Sequence, residues 1–288
     1  MSKIRTLLSF TAALFAGTAG AQDTPVQRGD VFARYQAWQA QQALPAAELV
    51  LTGDAPNTAT GSRIGGAVWL PDGASWPADR SGKRMTFLAQ IDFAEMPPLP
   101  DYPTSGVVQF FIARDDLYGA NFENPQQGDF KVIYHEDVSG PGRLETGPVS
   151  EGQRYVDDFS PLEPGMATRG VKLAATAITH KPAIGQWQFH EAIGKGLAEA
   201  DYDALYDAVY NDDAHYESNW RVGGHPEFTQ SDWRYEAEYR DVDRVLLQLW
   251  TSNGVMMWGD SGQGHFAMRR EDLLKRDFSK VFYSWDCY

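Results

Sequence analysis

The chain reads as an α+β protein made of two related, mainly antiparallel β halves with a few peripheral helices. Three observations predict this. β-Branched or aromatic runs bounded by Gly, Pro, Asp or Ser follow one another without regular helical crossovers, which is the pattern of antiparallel sheets. Helical periodicity is confined to three short stretches. Arg63-Ile64-Gly65-Gly66 returns as Arg221-Val222-Gly223-Gly224, and Phe87-Leu88-Ala89-Gln90-Ile91 returns at the same offset as Val245-Leu246-Leu247-Gln248-Leu249. Two patterns that keep one separation point to an internal duplication.

Taken in order, residues 1–21 carry Lys3 and Arg5, an apolar run from Leu7 to Ala16 and then small residues to Ala21, the order of a secretory signal. The run is too short to span a bilayer. The expectation is an exported, periplasmic chain without a transmembrane segment in its mature form; a cytoplasmic chain whose N-terminal helix packs on the body is the alternative. Residues 22–47 read as an N-terminal helix and linker, because Val31, Tyr35 and Trp38 recur at helical spacing over about 30–43 with Asp30 as cap. Residues 48–288 form the main domain, with halves at roughly 48–140 and 215–288 and a connection over 140–214. Strands are expected at 107–113, 130–134, 171–177, 245–250 and 281–285. A helix over about 197–210 follows from Leu197, Leu205 and Val209, with Glu199, Asp201 and Asp203 near its positive end. A shorter helix is expected at about 270–275.

Composition narrows the chemistry. A chain of 288 residues with 43% hydrophobic content can bury a sizeable core, and its net charge of −14 argues against a nucleic-acid partner. Cys287 is the only cysteine, so neither an internal disulfide nor a cysteine-rich zinc site is available. His190-Glu191 and His135-Glu136 lack a second histidine one turn away. Asp115-Asp116, Asp157-Asp158 and Asp212-Asp213 lack the alternation of a calcium loop, and no phosphate loop or dinucleotide fingerprint occurs. No cofactor, metal site or catalytic residue is assigned.

The stretch WGDSGQGHF contains GDSG, the tetrapeptide around the nucleophile of trypsin-like proteases. His180 is the only histidine in a faintly suitable place, and Lys181 stands where such enzymes have cysteine. The stretch reads instead as a turn, with Asp260 bonding the loop's own amides and Gly259, Gly262 and Gly264 serving its backbone. Gly65, Gly66, Gly223 and Gly224 read as turn or crossing glycines. Gln90 and Gln248, amides in apolar strands, are expected to be satisfied by backbone groups of the facing half.

The runs SRIGGAVWLP, Trp76-Pro77, FLAQIDF, the Gly106-to-Phe111 strand and Asp115 to Gly119, followed by RVGGHPEFTQSD, VLLQL, WGDSGQGHF and the closing WDC, resemble in order the YwqG-like bacterial family of unknown function. The resemblance implies a duplicated α+β fold and brings no established activity. It departs in the export signal, since the family is mainly cytoplasmic, and in the long connection over 140–200.

Two functional readings follow. One is a non-catalytic binding module that engages a basic protein through an acidic face or a groove between the halves. An immunity protein against a secreted toxin is the form the resemblance implies. The other is an envelope hydrolase or small-ligand-binding enzyme using that groove. In both, the candidate binding residues are Arg63, Gln90 and Asp92 from the first half, and Arg221, His225, Gln230, Asp232, Gln248 and Asp260 from the second.

Overall fold

The computed structural model describes residues 28–148, 159–210 and 220–288. The export signal and the Asp157-Asp158 and Asp212-Asp213 pairs lie outside the described residues. Helix α1 (Arg28–Gln41) buries Val31 and Tyr35, as the periodicity predicts. Directly after it comes β1 (Leu44–Asp54), across the boundary where the sequence suggests a linker giving way to the domain. The apolar run Leu49-Val50-Leu51 in its sequence, LPAAELVLTGD, is short and stands among a proline, a glycine and two acids, so the local strand signal is weak. Pairing on both sides holds it in place: β8 on one flank and β9 on the other.

The first half then contributes β2 (Arg63–Ile64), β3 (Ala67–Pro71), β4 (Thr86–Asp92), β5 (Val107–Ile112), β6 (Phe130–His135) and β7 (Gly142–Thr146). The connection holds α2 (Met166–Arg169), β8 (Val171–His180), α3 (Trp187–Ala192) and α4 (Glu199–Tyr210). The second half supplies β9 (Trp220–Gly223), β10 (Val242–Trp250), β11 (Gln263–Arg269), α5 (Arg270–Leu274) and β12 (Phe282–Asp286). Among the described residues ten strands form one antiparallel sheet in the order β12-β11-β10-β9-β1-β8-β2-β4-β5-β6, and β3 pairs with β7 in a separate small sheet.

The large sheet curls until its two ends meet over a shared core. Phe110 of β5 lies 4.9 Å from Phe266 of β11, and Phe130 of β6 lies 5.2 Å from Tyr283 of β12, ring centre to ring centre. The result is a near-barrel in which aromatic packing between opposite edges does what a closing ladder would do. An uncovered edge strand invites pairing with other chains. Here the amide of Tyr283 donates to the carbonyl of Pro125, so the loop before β6 partly covers the β12 edge. Outside the sheet, α1, α3 and α4 gather Val31, Tyr35, Ile184, Phe189, Leu205 and Val209 into a second apolar cluster.

The two glycine pairs end the short strands β2 and β9 with left-handed backbone, φ being 59° and 77° at Gly65 and Gly66 and 79° and 71° at Gly223 and Gly224. A Cβ on Gly65 would sit 2.2 Å from the carbonyl oxygen of Met166, so only glycine fits there.

Candidate functional site

Register places two polar ladders on the sheet. In the first half Arg63 stands opposite Gln90, and Gln90 opposite Gln109. The Gln109 amide donates to Gln90 Oε1 (3.1 Å) and to the carbonyl of Trp69 on β3 (3.0 Å). Its Oε1 accepts from His135 Nε2 (3.1 Å), which assigns the proton to that nitrogen. Gln90 donates to the carbonyls of Ala59 and Gly61, and Arg63 donates to those of Pro56 and Thr60. Burial pushes the Arg63 pKa down to about 10 against the pull of Glu95 and Asp92. Asp92 accepts from the amides of Gly61 and Ala94.

In the second half Arg221 stands opposite Gln248, and Gln248 opposite His265. Arg221 donates to Gln248 Oε1 (2.9 Å), and Gln248 donates to the carbonyl of Glu227 and to Gln263. Both glutamines are thus satisfied by loops of their own half. This corrects the expectation that they reach the facing half: each strand lies next to the loop that follows or precedes its partner arginine, and that loop is the nearer source of backbone groups.

Glu227, absent from the sequence-based candidates although inside HPEFTQSD, ties this ladder to the connection. It pairs with Arg221 (3.0 Å) and lies 3.4 Å from His180 Nε2. Burial opposes its charge, yet Arg221 and His180 outweigh that and hold its pKa at about 2. His180 accepts from the amide of His225, and His225 Nε2 donates to the carbonyl of Gln42 (2.7 Å). Arg63, Gln90 and Asp92 are separated from this cluster by β8 and β1.

A groove of about 960 Å³ opens on the outer face of β11 and β12. Its floor holds His265, Ser284 and Asp286; residues 228–239 form one wall, and residues 122–125 with the C-terminal residues form the other. Among the described residues five acids line it, Glu123, Asp232, Glu236, Glu238 and Asp286, and no lysine or arginine does. Six aromatic side chains line it as well: Phe122, Phe228, Trp233, Tyr235, Tyr239 and Trp285. Among the sequence-based candidates Gln230 and Asp232 belong to the groove. Asp232 is fully buried in an ion pair with Arg234 (2.7 Å) and accepts from the amide of Trp187, so it fixes the wall. Asp286 accepts from the amides of Thr229 and Gln230, the Thr229 hydroxyl and His265 Nε2 (3.0 Å). Burial works against its charge, but His265, Thr229 and the Gln230 amide hold its carboxyl below the usual range. Asp286 and His265 were visible only as parts of the closing WDC and of WGDSGQGHF, with no signal for their pairing.

The GDSG segment is a turn between β10 and β11, with different chemistry from that expected. Asp260 and Ser261 are exposed, and the Asp260 side chain makes no hydrogen bond among the described residues; its carbonyl accepts from the amide of Tyr288. Left-handed backbone falls on Gly259 (φ 50°) and Ser261 (φ 61°), not on Gly262 or Gly264. Those two glycines provide room instead. A Cβ on Gly262 would lie 1.8 Å from the carbonyl oxygen of Asp286, and one on Gly264 would strike the Trp258 ring.

Among the described residues no helix is long and apolar enough to cross a membrane. An 82-residue stretch is 29% identical to the isocitrate dehydrogenase kinase/phosphatase of Dechloromonas aromatica (strain RCB), covering 26% of this chain. The chain matches only 14% of that protein's length. Residues 62–287, which include both ladders, the glycine pairs and the residues that line the groove, match one family model. The chain therefore belongs to the family described as Domain of unknown function (DUF1963).

Proposed function

We propose that this is a non-catalytic binding protein that docks a basic protein partner in the groove over β11 and β12, in the manner of an immunity protein that covers a toxin. The observation that carries the reading is that, among the described residues, the groove is lined by the exposed acids Glu123, Glu236 and Glu238 and six aromatic side chains without a lysine or arginine. Such a surface attracts cations over distance and offers flat apolar faces at contact. The chain's net charge of −14 adds to the steering of a basic partner. Phe122 and Tyr235 remain 50% and 46% exposed, enough to serve as anchors. The buried arginines Arg63, Arg221 and Arg234, by contrast, expose no surface to a partner.

Two further proposals accompany this reading. The matching order Arg–Gln along β2-β4 and β9-β10 supports descent of the halves from one ancestral unit, within a YwqG-like branch of the family. Residues 1–21 support export to the periplasm, where a secreted toxin would be met.

The test places a photo-crosslinking phenylalanine analogue at Tyr235 in the producing cell, and at exposed Val50 on β1 as a control. A single adduct with a basic protein from position 235 and none from position 50 is expected. Equal adducts from both positions, or none from 235, would refute groove docking.

A further inference from the structure

The two halves differ in what covers their ladders. In the first half β3, paired with β7, lies across the outer face, and the carbonyl of Trp69 receives the Gln109 amide (3.0 Å). In the second half the outer face is covered only in part, by residues 228–239, and the groove lies beside them. There His265 is 2% exposed and lines the groove floor. In the neutral tautomer that donates its Nε2 hydrogen to Asp286, Nδ1 is a lone-pair acceptor, and it has no partner among the described residues. A buried acceptor without a donor is costly, and one at a groove floor marks a place for an N–H or O–H from outside.

The surroundings narrow the choice of donor. The imidazole is flanked by Phe228 (5.0 Å) and Trp233 (5.7 Å), and Trp285, which also lines the groove, meets Phe122 edge to face (5.6 Å). Glu236 and Glu238 are exposed at the rim. Flat rings, carboxylates and a lone-pair acceptor together suit a planar cation with several donors. A guanidinium stacks on rings, is weakly hydrated and can serve an imidazole and a carboxylate at once; an ammonium is a compact, strongly hydrated charge that can do less of this.

We propose that the groove is a guanidinium receptor: an arginine of the partner enters beside Trp233, donates to Nδ1 of His265 and meets Glu236 and Glu238. Nδ1 is closed to solvent in this structure, so the half-buried Phe228 ring beside the imidazole has to move as the arginine enters. This rests on the binding reading above and names the residue that the reading requires.

The test titrates the full chain with blocked hepta-arginine and hepta-lysine peptides of equal charge, followed by calorimetry and tryptophan fluorescence. The expected result is that the arginine peptide binds about tenfold more tightly, and that His265→Gln brings the two affinities within about threefold. Should His265→Gln fail to fold, Trp233→Leu, a change in the partly exposed wall, reads the same loss of preference. Equal affinity of the wild type for both peptides would overturn the guanidinium assignment while leaving the basic-partner reading intact. Binding of neither peptide would remove both, and an arginine preference that survives both variants would place it outside this groove.

Discussion

Replacing His225 with glutamine tests the buried node that joins the connection to the second ladder. His225 is 8% exposed, donates through Nε2 to the Gln42 carbonyl, and lies near His180, Arg234 and Arg221. Burial, opposed by the hydrogen bond to Gln42 and helped by His180, Arg234 and Arg221, pushes its pKa down to about 4. An unfolded histidine titrates near 6.5, so between about pH 6.5 and pH 4 the unfolded chain takes up a proton that the native chain refuses. Stability falls as pH drops through this window, by about 1.4 kcal/mol per pH unit and by about 3 kcal/mol in total. His180, held down by burial and by Arg221, adds to the same loss, and Glu227 adds its own below about pH 4.5. His225→Gln keeps an N–H to offer Gln42 but cannot titrate. Urea unfolding followed by tryptophan fluorescence between pH 7 and pH 4.5 should show a wild-type stability that falls steeply and a variant whose slope is shallower by about one proton. At pH 7 the variant should be about 1 kcal/mol less stable from altered packing. Parallel slopes for the two proteins would show that His225 is not held neutral in the fold.

Three more outcomes are expected. Ser261→Ala and Asp260→Ala should each change stability by less than about 0.5 kcal/mol in thermal unfolding, because both side chains are exposed and Asp260 caps nothing; a serine-reactive fluorophosphonate should leave the wild type unlabelled, and labelling that vanishes in Ser261→Ala would restore the nucleophile. Gly262→Ala should destabilise by about 3 kcal/mol or more, since its Cβ meets a backbone carbonyl, whereas Gly140→Ala, with open space around it, should be nearly silent in the same assay. A reporter active only outside the cytoplasm should give signal when fused to residues 1–30, and a mature protein sequenced from Met1 in the cytosol would count against export.

Much of the fold was legible because its elements carry local signals. The helix at Arg28–Gln41 shows its face through Val31 and Tyr35, and strands such as Val107–Ile112 announce themselves by continuous apolar, β-rich sequence. The repeated arginine, glycine pair and glutamine also stood out, because matching residues at a constant offset need no structure to be seen. β1 was missed because a strand can be stable with poor propensity when neighbours on both sides complete its hydrogen bonds. The GDSG turn was recognised as a turn, but the role of each residue in it depends on how close the C-terminal strand comes, which is a fact about Asp286 and Trp258. Likewise Glu227, His265 and Asp286 became partners only through register, which sets residues from β11, β12 and the loop before β10 side by side. The groove needs residues 122–125, 228–239 and 284–287 to meet at one edge of a curled sheet. Sequence alone thus determined where chain would be buried and turned, since periodicity and backbone freedom are local properties. Which polar groups meet was decided by the tertiary structure, since hydrogen bonding and charge pairing act over a few ångströms between residues far apart in the chain.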